Sequence, residues 1–168
     1  SYAHVWEPAA APNSTELKYS CCLLIPKSDK ALVKLVQDAI AAATEKGKEK
    51  WGGKIPGNLK TPLRDGDAEK GDKEEYQGMY FINANNTKKP IVLNRDKMPI
   101  TEKDDFYSGC FGYANVTFYP FNQPMQKGVA CSLNMVLKSK DGEAFSGGPS
   151  VEEAFGGVEI AEEASILD

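Results

Sequence analysis

Apolar and polar side chains alternate with a period of two through two long segments, 106–121 and 128–140. The polar connection Asn122-Gln123-Pro124-Met125-Gln126-Lys127 joins them. Successive side chains of a strand point to opposite faces, so the pattern predicts a β-hairpin. In its first strand Cys110, Gly112, Ala114, Val116 and Phe118 share one face, and Phe111, Tyr113, Asn115, Thr117 and Tyr119 share the other. In its second strand Val129, Cys131, Leu133, Met135 and Leu137 form the inner side against Ala130, Ser132, Asn134, Val136 and Lys138. A buried face has no use for amides and hydroxyls, and a solvated one has little use for three rings. The mixed face therefore has the make-up of a stacking surface.

Shorter alternations fill the rest of the chain. Residues 2–6 read as the remainder of a first strand, broken by Glu7-Pro8 and a loop over 9–16. Residues 17–25 form a strand stopped by Pro26. Residues 78–84 and 90–95 pair as a hairpin around Asn85-Asn86-Thr87-Lys88-Lys89, with the parity of Tyr80 and Ile82 against Met79 and Phe81 left open. Between them, Ser28 or Asp29 caps a helix carrying Leu32, Leu35, Val36, Ala39, Ile40 and Ala43 at helical spacing and ending before Gly47. The stretch 46–54 that follows is basic and flexible, with one indole, Trp51. It reads either as a solvated helix exit or as a nucleic-acid contact loop. Residues 62–75 invite a calcium-loop reading that fails on register: counting from Asp65, Lys70 stands where glycine is required and Tyr76 where the bidentate glutamate is required. That segment is expected to be a charged surface loop.

Five or six short strands, one helix and no repeat predict a mainly β protein. The architecture expected is a small OB-fold barrel with an inserted α-helix, ahead of a β-sandwich. Residues 1–149 form the barrel, and 150–168 a disordered or loosely attached acidic C-terminal tail.

Charge sharpens that division. The formal net charge of −4 includes six carboxylates from the tail, Glu152, Glu153, Glu159, Glu162, Glu163 and Asp168, with no cation among 151–168. The rest of the chain is thus mildly basic. Phe155, Val158, Ile160, Ile166 and Leu167 punctuate the tail and point to a short docking peptide for a protein partner. No apolar run reaches membrane-spanning length and the first residues lack a secretory pattern, so a soluble, intracellular protein without membrane contact is expected. Cys21, Cys22, Cys110 and Cys131 read as free thiols in packed surroundings rather than disulfides. With no Cys-x-x-Cys pair and one histidine, His4, neither a zinc site nor histidine catalysis is expected.

Phosphate-cradling, nucleophile-elbow and His-Glu-x-x-His patterns are absent from the sequence. A non-enzymatic binding module without cofactor or metal is expected. Single-stranded DNA needs flat rings for its bases and cations for its phosphates. Tyr107, Phe111, Tyr113 and Tyr119 are the candidate rings, each open to core packing as the other reading and Tyr113 foremost for stacking, and Arg64, Arg95, Lys127 and Lys138 are the candidate cations. Two rival readings are a protein-interaction adaptor that uses the acidic tail with the barrel as scaffold, and a magnesium nuclease built on Asp65, Asp67 and Asp72. Homo-oligomerisation and the choice between DNA and RNA stay open.

Several short motifs carry a resemblance. They are Ile25-Pro26-Lys27-Ser28-Asp29, Lys50-Trp51-Gly52, Leu63-Arg64-Asp65-Gly66-Asp67, Tyr80-Phe81-Ile82-Asn83-Ala84, Tyr107-Ser108-Gly109-Cys110 and 128–134, Gly-Val-Ala-Cys-Ser-Leu-Asn. Together they resemble a family of bacteriophage single-stranded DNA-binding proteins, long catalogued as a domain of unknown function, over most of residues 1–155. The resemblance implies an OB fold, binding to single-stranded DNA without strong sequence preference, and a role in phage replication or recombination in the host bacterial cytoplasm. It also implies an acidic C-terminal region that recruits replication or recombination proteins and competes with DNA. The ending Ile166-Leu167-Asp168 departs from the aromatic ending of bacterial relatives, and the abrupt start implies a shortened first strand.

Overall fold

Val5, Ile25, Ile82, Ala84, Cys131 and Leu133 come from four different strands, yet all turn their side chains to one centre. Val92, Phe106 and Val136 complete that buried cluster. Each large apolar side chain removed from water there contributes about 1.5–3 kcal/mol. In this computed structural model, which describes residues 3–145, the elements are β1 (Ala3–Ala10), β2 (Leu17–Pro26), α1 (Lys30–Gly47), β3 (Arg64–Asp65), α2 (Gly66–Lys70), β4 (Met79–Asn86), β5 (Ile91–Leu93), β6 (Phe111–Gln123) and β7 (Gln126–Lys140). The strands form one sheet in the order β1-β2-β4-β7-β5, with β3 on β4 and β6 on β7. The fold is mainly β with one long helix and is OB-like. The acidic segment 150–168 lies outside the described residues. No helix among the described residues is long and apolar enough to cross a membrane.

Several local expectations are corrected. Pro8 does not end the first strand: β1 runs through it for 8 residues, with a register shift between His4 and Ala9. Proline is tolerated because β1 pairs only with β2, so its missing N–H sits on an edge or at the irregularity. The Trp6 indole ties β1 to the segment ahead of β6, donating toward the carbonyls of Lys103 at 3.1 Å and Phe106 at 3.3 Å.

The strands around residues 85–89 do not form a hairpin. Both β4 and β5 run parallel to β7, through Asn85 opposite Ser132 and Ile91 to Leu93 opposite Met135 to Leu137. Since β6 occupies the other edge of β7, β4 and β5 meet one edge in succession and point the same way. The Asn86 amide reinforces the sparse β4–β7 junction with bonds to Ser132 Oγ and the Leu133 carbonyl, both at 3.1 Å. The open parity of β4 resolves as burial on both sides, Phe81 and Ile82 being equally hidden.

Asp29, not Ser28, caps α1, its carboxylate accepting the Leu32 N–H at 3.1 Å. The helix lays Val33, Val36, Ile40, Ala43 and Gly47 against the sheet and leaves Leu32 and Leu35 exposed. The expected stripe was thus displaced by one residue at its start. All four cysteines are free, with Cys131 buried and the others half-buried. Loss of hydration pushes the Cys21 and Cys131 thiols up to about 12, which makes them neutral packing groups at physiological pH.

The charged segment after residue 62 is more than a surface loop. Lys27 Nζ lies 2.7 Å from both Asp65 Oδ1 and Asp67 Oδ2. Asp65 also caps α2, and Asp67 accepts the Gly78 N–H at 3.0 Å. The hydrogen bonds from Lys27, above all, hold both carboxyls below the usual carboxylate range, and the same bonds raise the ammonium. The carboxylates therefore stabilise the fold above pH about 4 and lose that contribution as pH falls through their lowered values. The lysine contribution is present below about pH 10 and is lost only as pH rises through its raised value. Replacing Lys27 by Met will return Asp65 and Asp67 toward ordinary titration, which carboxyl-carbon NMR reads directly.

Candidate nucleic-acid interface

Alternation along β6 sends Phe111, Tyr113, Asn115, Thr117 and Tyr119 outward, while Ala114, Val116 and Phe118 pack on the core. The rings of Phe111, Tyr113 and Tyr119 are 53%, 73% and 39% exposed, so they are available to a ligand. Successive positions on this face are about 7 Å apart at roughly 3.3 Å rise per residue.

The neighbouring strand shapes the face through two bulges. Asn115 pairs with Met135 and Val116 with Leu133, so Asn134 is an extra residue in β7. One inserted residue flips every side chain beyond it. This corrects the expected inner row: Val136 enters the core, whereas Met135 and Leu137 lie opposite Asn115 and Tyr113 on the ring-bearing side. The Asn134 amide donates to Asn115 Oδ1 at 2.9 Å and Thr117 Oγ1 at 3.0 Å, fixing the polar middle of the row. A second shift, between Phe111 opposite Lys140 and Gly112 opposite Lys138, brings the Lys140 ammonium 4.7 Å from the centre of the Phe111 ring. Lys140 was missed at the sequence level because strict alternation gives no reason to single it out.

The other expected contacts divide. Arg95 is exposed and lines a cleft of about 450 Å³ beside Phe111, together with Asn94, Lys138, Ser139, Lys140 and Asp141. Lys127 is exposed at the opposite end, next to the hairpin tip, where the connection is tighter than expected: Gln123 pairs with Gln126, leaving Pro124 and Met125 as the turn. Lys138 is not a free cation. Its ammonium sits 2.6 Å from Asp141 and 5.2 Å from the Tyr107 ring centre, and its side chain is 16% exposed. Tyr107 is likewise committed. Its hydroxyl lies 3.0 Å from Asp141 Oδ1 and 2.9 Å from the Gly142 carbonyl and accepts the Gly142 N–H at 3.1 Å. Tyr107 thus orders the turn after β7.

Arg64 stands elsewhere. It forms a forked pair with Glu69, 2.6 Å at the closest, and covers the Phe81 ring at 4.8 Å. With His4, Ser20, Cys22, Lys70, Tyr76 and Asn83 it lines a second cavity of about 280 Å³ over β2 and β4. OB folds bind oligonucleotides across their second and third strands, so this face is a further candidate surface that the sequence reading did not assemble. Asp65 and Asp67, which a nuclease would need around magnesium, converge instead on the Lys27 ammonium. The tail carboxylates Glu152, Glu153, Glu159, Glu162, Glu163 and Asp168 lie outside the described residues.

A family model described as Enterobacter phage Enc34, ssDNA-binding protein, matches residues 1–166. A protein named p50, from Acyrthosiphon pisum secondary endosymbiont phage 1, is 34% identical over 179 residues, covering 99% of this chain and 94% of p50. Among solved structures, the single-stranded DNA-binding protein from bacteriophage Enc34 in complex with ssDNA is similar with a TM-score of 0.75 and 29% identity, over 87% of this chain and 84% of that one. Gp2.5, a single-stranded DNA-binding protein encoded by bacteriophage T7, shares the fold with a TM-score of 0.57 at 16% identity, over 96% of this chain and 92% of its own.

Proposed function

This chain belongs to the family of the Enterobacter phage Enc34 ssDNA-binding protein, and from that membership we propose that it binds single-stranded DNA non-enzymatically along the ring-bearing face of β6. The observation that carries the reading is the row of three exposed rings on β6, with the Lys140 ammonium 4.7 Å from the centre of the Phe111 ring at one end. Bases stack on Phe111, Tyr113 and Tyr119, while Lys140 and Arg95 meet phosphates on that face and Lys127 reaches round the hairpin tip from the other. Base stacking is indifferent to base identity because every base has a π-face, so binding is sequence-tolerant. In a phage-infected bacterial cytoplasm such a protein coats strands exposed in replication or recombination and keeps them unpaired.

Filter binding with single- and double-stranded DNA over a salt series tests this. Single strands are held preferentially, with affinity falling linearly in log–log form at a slope of about −0.7 for each phosphate neutralised. Equal retention of both forms, or tight binding indifferent to salt, contradicts it.

In the same proposal residues 1–149 form the binding domain and the acidic segment 150–168 competes with DNA for its cations and docks replication or recombination proteins. Deleting residues 151–168 will then raise affinity most at low salt, where charge competition is least screened. An unchanged salt profile leaves the segment without a role at the DNA surface.

A further inference from the structure

The basic stretch after α1 is not used by the interface described so far, yet it is fastened to the end of the ring row. The Trp51 indole donates to the Phe121 carbonyl at 3.0 Å, and the Asn122 amide donates to the Lys50 carbonyl at 2.9 Å. Lys50 Nζ reaches the Pro120 carbonyl at 3.3 Å, one residue beyond Tyr119. Ten residues later the chain meets the hairpin again on its other strand. Lys60 donates its N–H to the Lys127 carbonyl at 3.0 Å, and its own carbonyl accepts the Val129 N–H at 2.9 Å.

Strand parity tells on which side Lys60 lies. Tyr119 and Phe121 are two residues apart with no register shift between them, so both belong to the outer row, and Gly128 pairs with Phe121. A side chain at Gly128 would project on that row's face and collide with the Lys60 carbonyl, with Lys60 Cβ only 2.8 Å away. Lys60 therefore lies on the ring-bearing side of the sheet, across β7 from Phe121, in space that only a glycine leaves open. Lys50 and Lys60 are both exposed, and among the described residues neither has a carboxylate partner.

We infer that Lys50 and Lys60 form a phosphate clamp that takes the DNA backbone as it leaves the ring row at Tyr119. This rests on the reading of the row as the single-stranded DNA surface. The occupant is a phosphodiester backbone because the strap brings two exposed lysines to the Tyr119 end of the hairpin, Lys50 with its ammonium at the Pro120 carbonyl and Lys60 held by its backbone, and ammonium groups answer to negative charge. The clamp marks one end of the site, and the Arg95 and Lys140 cleft marks the other.

The test is an anisotropy titration of wild type and the variant K50Q/K60Q against oligothymidylates of about 4 and about 16 nucleotides, the span of OB site sizes. With the longer probe, removing two phosphate contacts makes the slope of log K against log salt shallower by about 1.4. The shorter probe, which fits on the rings alone, keeps its affinity and slope, and this retention also shows the variant to be folded. The single variant K60Q leaves the Lys50 contact with Pro120 untouched and loses about half the slope change. An unchanged slope with the longer probe overturns the clamp while leaving the row in place. If wild type holds the longer probe and Tyr113→Ala changes neither probe, the row is overturned instead, and the clamp with it.

Discussion

Replacing Tyr113 and Tyr119 together by alanine will lower affinity for single-stranded DNA by about 30-fold or more and leave the melting temperature within a few degrees of wild type. Each stacked base is worth roughly 1–3 kcal/mol by alanine substitution, so two rings supply at least about 2 kcal/mol, or more than a decade in the dissociation constant. The fold is spared because Tyr113 is 73% and Tyr119 39% exposed, and neither belongs to the buried clusters. Adding Phe111→Ala removes a third ring together with the platform beneath Lys140, so the salt slope will fall as well as the affinity. The outcome that moves the site is a ring variant binding as wild type does while Arg64→Ala weakens binding. DNA would then lie over β2 and β4, across the cavity lined by Arg64, His4 and Asn83.

How much of this was legible in the sequence depends on which part of the chain set the geometry. Period-two alternation in β6 placed its rings outward because that strand carries no inserted residue between Gly112 and Gln123. The same rule failed in β7 beyond Leu133, because nothing in Asn134 or Ser139 announces that these residues are extra to the ladder. Their bulges are decided by pairing with β6, a long-range property, and they put Val136 in the core and Lys140 over Phe111. Arg64 and Lys138 looked like free cations because their counter-charges, Glu69 and Asp141, are close in sequence but become partners only when a helical turn or a strand end presents them. The contacts of the Tyr107 hydroxyl were hidden for the related reason that a ring does not reveal whether its hydroxyl is spoken for. Residues 85–89 read as a hairpin loop because their composition is that of a turn. Only the arrival of β7, more than forty residues later, makes β4 and β5 successive neighbours of one edge.

Trp51 was the residue whose surroundings were least visible, and its removal is expected to have the largest effect on stability. It sits in a stretch of lysines and glycines that reads as solvated, yet it is 7% exposed and packs with Ala43 and Val129, against Ile40, Leu59 and Phe118. Gly47, on the last turn of α1, has no side chain because one would run into the six-membered ring of the indole, so helix end and indole are matched in shape. Trp51→Ala will cost about 3–5 kcal/mol, the range for emptying a large aromatic site, out of a total stability of about 5–15 kcal/mol. Trp51→Phe keeps most of the packing but gives up the bond to the Phe121 carbonyl, and will cost about 1–3 kcal/mol. Urea denaturation followed by circular dichroism measures both, and the difference between them separates packing from the hydrogen bond. Because the same indole fastens the strap beside Lys50 to the hairpin, the phenylalanine variant will also loosen binding of long oligonucleotides more than short ones. A loss of stability below about 1 kcal/mol on Trp51→Ala would mean that the strap is held by the Lys60 backbone bonds and the Asn122 amide, and that the indole contributes little packing.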